Sequence, residues 1–212
     1  MKNRYLDSNI IGDIKEKMVF VSGPRQVGKT TLAKYIGSNL FKTYSYLNWD
    51  YQPDRKKIIN YELPADVKLL IFDELHKYKN WKNYIKGLFD KYKNDYSILL
   101  TGSARLDIYR KGGDSLAGRY HQYILHPFSL AELLESKTDN KLFDKLFFSE
   151  NIKGKKILET LVKYGPFPEP YLKQNDTHWR RWQMEKNERL IKEEIRDLTT
   201  IQDLSAIQIL VE

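Results

Sequence analysis

Residues 18–37 read "MVFVSGPRQVGKTTLAKYIG", and three features of that stretch support one another. The run Met18-Val19-Phe20-Val21-Ser22 is short, apolar and β-branched enough to be a buried strand. "GPRQVGKT", Gly23 to Thr30, then fits the pattern G-x-x-x-x-G-K-[ST]. After it, "TLAKYIGSNLF" at 31–41 puts Leu32, Tyr35, Ile36 and Leu40 on one helical face. A surface turn of glycine and lysine would explain the letters of the loop, but not the strand before it and the helix after it. Strand, glycine-rich loop and helix, in that order, place backbone N–H groups and the positive end of a helix around a phosphate chain. The expected phosphate-binding set is Gly23, Pro24, Arg25, Gln26, Val27, Gly28, Lys29, Thr30 and Thr31. In this pattern Lys29 reaches the β- and γ-phosphates of ATP and the Thr30 hydroxyl ligates Mg²⁺.

Working outward, "TYSYLNW" at 43–49, "VKLLIFDE" at 67–74, "YSILLTGS" at 96–103 and "YHQYILH" at 120–126 read as further strands. A helical pattern precedes the first strand at 7–16. Another, at 80–93, gathers Trp81, Tyr84, Ile85, Leu88, Phe89 and Tyr92 into one stripe. Strands alternating with helices predict an α/β fold, a parallel sheet with helices on both faces. From Ser129 onward the strands stop, and helical patterns follow at 141–149, 153–163 and 177–197. The expected division is a core over 1–128 and a helical lid over 129–212, with "YGPFPEPY" at 164–171 as the one Pro/Gly-rich joint. The final "IQDLSAIQILVE" carries Ile201, Leu204, Ile207 and Leu210 on one face without a stop signal, so a longer polypeptide is expected to continue beyond it.

The 212 residues suffice for one sizeable core and are short for two motor domains. The chain has no cysteine, which excludes disulfides, thiol catalysis and cysteine-ligated zinc and is compatible with a reducing cytoplasm. Its four histidines are not spaced as a metal pair. The N-terminus lacks a signal-peptide core, and no apolar run is long enough to span a membrane. A formal charge of +8 favours polyanionic partners such as nucleotides or nucleic acid, and a lysine-rich surface kept for solubility would give the same number.

Chemistry is expected at two further strand ends. Asp73 closes the run Leu69-Leu70-Ile71-Phe72 and should emerge at the carboxyl edge of the sheet, where it would hold Mg²⁺. Glu74 follows it and can orient or deprotonate water, the step that separates hydrolysis from binding, although an acidic residue ending a strand can also simply be solvated. In "LLTGSAR" either Thr101 or Ser103 can hydrogen-bond the attacking water or the γ-phosphate, depending on the phase of the strand, and turn chemistry alone would also place Thr-Gly-Ser there. Arg105 and Arg119 are candidates to stabilise charge on the transferring phosphate, from this chain or from a neighbouring subunit. Asp73-Glu74-Leu75-His76 is also how many helicases spell this box. A helicase needs a second motor domain, and no second set of strands follows residue 126.

"GPRQVGKTTL", "LLIFDELHKYKNW", "ILLTGSARL", "SLAGR" and "YGPFPEPYL", in this order, resemble the prokaryotic predicted ATPases of the AAA superfamily. The resemblance spans nearly the whole chain. It implies a P-loop NTPase core with strand order 5-1-4-3-2, Asp73 and Glu74 as the Walker B pair, and the Thr101 to Ser103 turn as sensor 1. Family members usually carry glutamine where His76 stands. Their lid has a Gly-x-Pro element that "GPFPE" matches loosely, with Pro166 in place of a usual glycine, and this implies that Pro168 contacts the adenine. The family usually continues into a conserved C-terminal domain of unknown function, which these residues do not include.

"HWRRWQMEKNERLIKEEIRDL" at 178–198 interleaves Trp179 and Trp182 with arginine and lysine. The basic face could track a nucleic-acid backbone while a tryptophan stacks on bases, or the aromatics could pack the lid under a solvated charged face. The expected function is ATP hydrolysis with Mg²⁺, stimulated by nucleic acid or by a protein partner, self-association included, that supplies an arginine in trans. The alternative is a nucleotide-switched binding module with weak turnover, signalling to a further domain or a partner.

Overall fold

The computed structural model describes residues 4–103, 116–135 and 152–189. Arg105, the helical pattern at 141–149, the end of the basic helix and the apolar face at 201–210 lie outside the described residues.

Helix α1 spans Asp7–Asp13 and is followed by strand β1, Met18–Ser22. The glycine-rich loop leads into α2, Lys29–Leu40, then β2, Tyr44–Asn48, α3, Gln52–Ile59, and β3, Leu69–Asp73. A 3₁₀ turn at Leu75–Lys77 precedes α4, Trp81–Tyr92, which returns to β4, Ser97–Thr101, and β5 is Tyr120–Ile124. All described pairings are parallel, and the sheet runs β5-β1-β4-β3-β2, the order that the resemblance implies.

Both faces of the central strands are buried, which is why they read as unbroken apolar runs. Side chains of alternating position point to opposite faces. Met18, Phe20, Leu70, Phe72, Ile98 and Leu100 meet Trp81, Tyr84, Ile85 and Leu88 of α4 on one side. Val19, Val21, Leu69, Ile71 and Leu99 meet Leu32, Ala33 and Ile36 of α2, together with Ile10 and Ile14, on the other. Each fully buried aliphatic or aromatic side chain contributes on the order of 1.5–3 kcal/mol of transfer free energy, so the strands nearest the phosphate loop are also the best anchored.

The described residues divide into two compact units, split between Pro127 and Phe128. The second unit contains α5, Leu130–Leu133, α6, Ile152–Tyr164, α7, Pro168–Lys173, and α8, Asp176–Arg189. Ser129 caps α5 by accepting a hydrogen bond from the Glu132 N–H at 3.1 Å. Phe128, Leu133 and Tyr171 form its small core with Ile157 and Leu161. The Pro-rich stretch expected as a joint is partly helical, because Pro168 stands at the first helical position, where its missing N–H costs nothing. Trp182 is buried against Phe167, ring centroids 5.2 Å apart, with the Lys186 ammonium over both rings, so it packs this unit and is not an open stacking surface.

Candidate functional site

The register of the sheet brings the expected residues to one edge. Asn48 pairs with Asp73, Asp73 with Thr101, and Thr101 with Val21, one residue before the end of β1. The loop that follows β1 therefore rises beside the tips of β4 and β3, at the carboxyl edge of the parallel sheet.

The loop depends on its two glycines. Gly23 has φ +144°, and a Cβ there would lie 2.3 Å from the Leu125 carbonyl oxygen, so the chain passes β5 with no room for a side chain. Gly28 takes φ +97° as it turns into α2. Gln26 occupies the left-handed region with φ +61° despite its side chain. Lys29 is buried, and its ammonium donates to the carbonyls of Gly23 at 2.9 Å and Pro24 at 2.7 Å. Pro24, which has no N–H to offer a phosphate, acts here through its carbonyl.

Arg4, which carried no signal in the sequence, braces this loop. Its guanidinium is buried and donates to the carbonyls of Val27 at 2.9 Å and His126 at 2.6 Å. It ties the loop to the segment after β5.

Asp73 is the hub of the site. Its Oδ2 accepts hydrogen bonds from the Thr30 hydroxyl and the Tyr46 phenol, both at 2.7 Å, and its Oδ1 accepts one from the Thr101 hydroxyl at 2.5 Å. The Thr30 contact joins the phosphate loop to the end of β3. Burial first, and then the neighbouring Asp73, push the Tyr46 phenol well above its ordinary pKa, so it stays a protonated donor. Thr101 and Ser103, left as alternatives by the sequence, have different partners: Thr101 is buried on Asp73, whereas the Ser103 hydroxyl lies 3.3 Å from His76 Nε2.

Glu74 stands in the left-handed region at φ +57°, with its N–H donating to the Thr101 carbonyl at 2.9 Å. A side chain there is uncommon and strained by order 1 kcal/mol. Its carboxylate lies 3.4 Å from the Lys77 ammonium and 3.6 Å from His76 Nε2, and Lys77 also pairs with Asp50 at 2.5 Å. Burial raises the Glu74 pKa, Lys77 opposes this, and Asp73 adds to it. His76, which stands where the resembling family usually has glutamine, is packed between Glu74 and Ser103.

Arg119 requires a correction. As a candidate for the transferring phosphate, from this chain or a neighbouring subunit, it was expected at a sheet edge because it follows a glycine-containing turn and precedes a strand; it precedes β5, and its carbonyl accepts from the N–H of Met18 at the start of β1. That is the amino edge, a full strand length of roughly 16 Å from the phosphate loop. Its guanidinium pairs with Asp90 at 2.7 Å, so it takes no part in this chain's own phosphate site. Pro168 opens α7 of the second unit. Among the described residues no group of three or more His, Cys, Asp or Glu side chains is placed to hold a metal ion between them, and no helix is long and apolar enough to cross a membrane.

A parallel sheet in this order, with a Gly-Lys-Thr loop after β1 and an aspartate hydrogen-bonded to that threonine, defines a P-loop nucleoside-triphosphatase fold. The chain belongs to the AAA-domain family, whose model matches residues 15–134. No curated protein matches the sequence. Solved structures similar to it include the ORC1 protein of Aeropyrum pernix in complex with DNA, at 9% identity and TM-score 0.47 over 64% of this chain and 48% of that one. The RuvB Holliday junction branch migration motor of Thermotoga maritima is 22% identical, with TM-score 0.42 over 61% of this chain and 46% of that one. A signal transduction ATPase of Pyrococcus horikoshii with a tetratricopeptide repeat sensor is 14% identical, with TM-score 0.46 over 79% of this chain and 28% of that one. The chain thus spans about half or less of these proteins, and its family rests on the match over 15–134.

Proposed function

We propose that the chain binds ATP with Mg²⁺ and hydrolyses it to ADP and phosphate. The observation that carries this is the 2.7 Å hydrogen bond from Thr30 to Asp73, which places a hydroxyl and a carboxylate side by side at the N-terminus of α2. Hard oxygen donors beside a phosphate loop suit Mg²⁺, which coordinates a few protein oxygens together with substrate phosphates. Thr30 and Asp73 would hold it, and when bound it supplies positive charge to the β- and γ-oxygens. Lys29 is buried at the mouth of the loop, and on phosphate binding its ammonium exchanges loop carbonyls for phosphate oxygens. Backbone N–H groups of residues 25–31 orient the phosphates. Glu74 takes a proton from, or aims, the attacking water. Thr101 holds Asp73 in place, and Ser103 stands with His76 beside Glu74.

Glu74→Gln tests the reading. ATP turnover is expected to fall by about 10²–10⁴-fold, the usual contribution of a general base, while ATP still binds. Equal turnover in variant and parent refutes it. The formal charge of +8 favours nucleic acid as the stimulating partner, and adding DNA or RNA to the same assay, with faster turnover expected, checks this.

A second reading is favoured by one observation. Glu74 is tied to Lys77, and Lys77 to Asp50, so the base is restrained by a cation anchored beyond β2. A nucleotide-switched module with slow turnover would use such a restraint, released by a partner. Lys77→Met raising turnover without any partner supports this version.

A further inference from the structure

Tyr46 belongs to no motif, yet its phenol donates to the carboxylate at the centre of the site. It lies in β2 opposite Ile71 and not opposite Asp73, so its ring runs along the strand for two residues to reach Asp73 Oδ2. The Lys34 ammonium of α2 sits 4.0 Å from the ring centroid and holds the ring from above. The contact exceeds what burial of a carboxylate requires. Thr30 and Thr101 already give each oxygen of Asp73 a donor, and Tyr46 adds a second on Oδ2, the oxygen that Thr30 shares. With donors from α2, β2 and β4, the carboxylate is fixed in rotation as well as in position.

Rotation of that carboxylate matters to the metal. Mg²⁺ demands near-ideal octahedral geometry and short bonds, whereas Ca²⁺ accepts six to eight ligands at longer and more varied distances. A rigid carboxylate favours the smaller ion, and a loosened one costs Mg²⁺ more than Ca²⁺. We propose that Tyr46 is a positioning residue for the metal: by clamping Asp73 Oδ2 it sets the Mg²⁺ affinity of the phosphate site and the preference for Mg²⁺ over Ca²⁺. The proposal rests on the nucleotide-site reading above.

The test uses the full chain and fluorescent ADP, with affinity measured in EDTA and then across Mg²⁺ and Ca²⁺ titrations. In Tyr46→Phe, half-saturation by Mg²⁺ rises about tenfold, the lower end of what outer-shell partners of metal ligands are worth. The ratio of Ca²⁺ to Mg²⁺ half-saturation narrows, and ADP affinity in EDTA is unchanged. A merely structural phenol would move the melting temperature and leave the metal ratio alone. A parent that responds to Mg²⁺, with a variant whose two half-saturation values are the same as the parent's, overturns the proposal by itself. A parent whose ADP affinity ignores Mg²⁺ overturns the nucleotide-site reading and this proposal together. If Tyr46→Phe does not fold, 3-fluorotyrosine at position 46 keeps the shape and strengthens the donor. Mg²⁺ half-saturation then falls if the proposal holds, and an unchanged value overturns it.

Discussion

Thr101→Val removes one hydrogen-bond donor from the site and almost nothing else. The two side chains have nearly the same shape, and Thr101 is 1% exposed, so neither packing volume nor solvent access changes. What is lost is the 2.5 Å hydrogen bond to Asp73 Oδ1. Asp73 is itself only 5% exposed, and its other two donors are both on Oδ2. Oδ1 is therefore left without that donor in a place water reaches poorly. Hydrogen bonds to charged groups contribute about 1.5–3 kcal/mol, and the unpaired acceptor places the cost within that range. For a chain of this length the loss lowers the melting temperature by roughly 3–12 °C. Thermal and urea melts of parent, Thr101→Val and Thr101→Ser decide it. Thr101→Ser keeps the hydroxyl and sacrifices one methyl group, worth about 0.8 kcal/mol, so it should fall between the other two. If Thr101→Val is as stable as the parent, or if serine is the worse of the two replacements, the claim that Thr101 serves the carboxylate is wrong.

The other predictions concern the loop and the base. Gly23→Ala places a Cβ 2.3 Å from a backbone oxygen at a φ that side chains avoid, so β5 must shift. Nucleotide affinity measured by titration calorimetry should fall at least tenfold. Folding should be impaired by more than the roughly 1–3 kcal/mol of backbone strain alone. Because burial raises the Glu74 pKa, the acid limb of the turnover profile should lie above the ordinary glutamate value of 4.5, and Lys77→Met, by removing the cation that opposes the shift, should move it further up. The sign for stability follows from the same direction. A raised folded-state pKa means that stability linked to the neutral carboxyl is present at low pH and lost as pH rises through that pKa. Glu74→Gln should therefore melt higher than the parent at neutral pH, with the gap closing in acid.

The five strands and the phosphate loop were legible because their signals are local: apolar runs of strand length, a loop of fixed spacing, and stripes such as Trp81 to Tyr92. Asp73 was legible for the same reason, as the polar residue that ends a buried run. The partners of Asp73 were not. Tyr46 sits in a strand whose apolar pattern gives no hint that its hydroxyl turns toward a neighbour 27 residues away, and Arg4 reaches the loop 23 residues away and the segment after β5 122 residues away. Such contacts are fixed by sheet order and register, which no window of sequence contains. Arg119 was misplaced by a related ambiguity. A glycine-containing turn before a strand predicts an edge, but only the direction of the strand says which edge, and parallel pairing with β1 puts it at the amino end. The left-handed turn at Glu74 was also invisible, since glutamate carries no preference for it.

Asp73 fastens α2, β2 and β4 to the end of β3, four elements that meet through one carboxylate. Fraying of any of them pulls a hydroxyl from the same two oxygens, so these segments should open as one cooperative block, with slow amide exchange shared among them. Strand β5 pairs in the sheet with β1 alone, and the side-chain ties of its far end run through Arg4 and Tyr5 and not through Asp73, so it lies outside that block. The sheet is thereby divided into a block closed on one carboxylate and an edge strand held by other bonds.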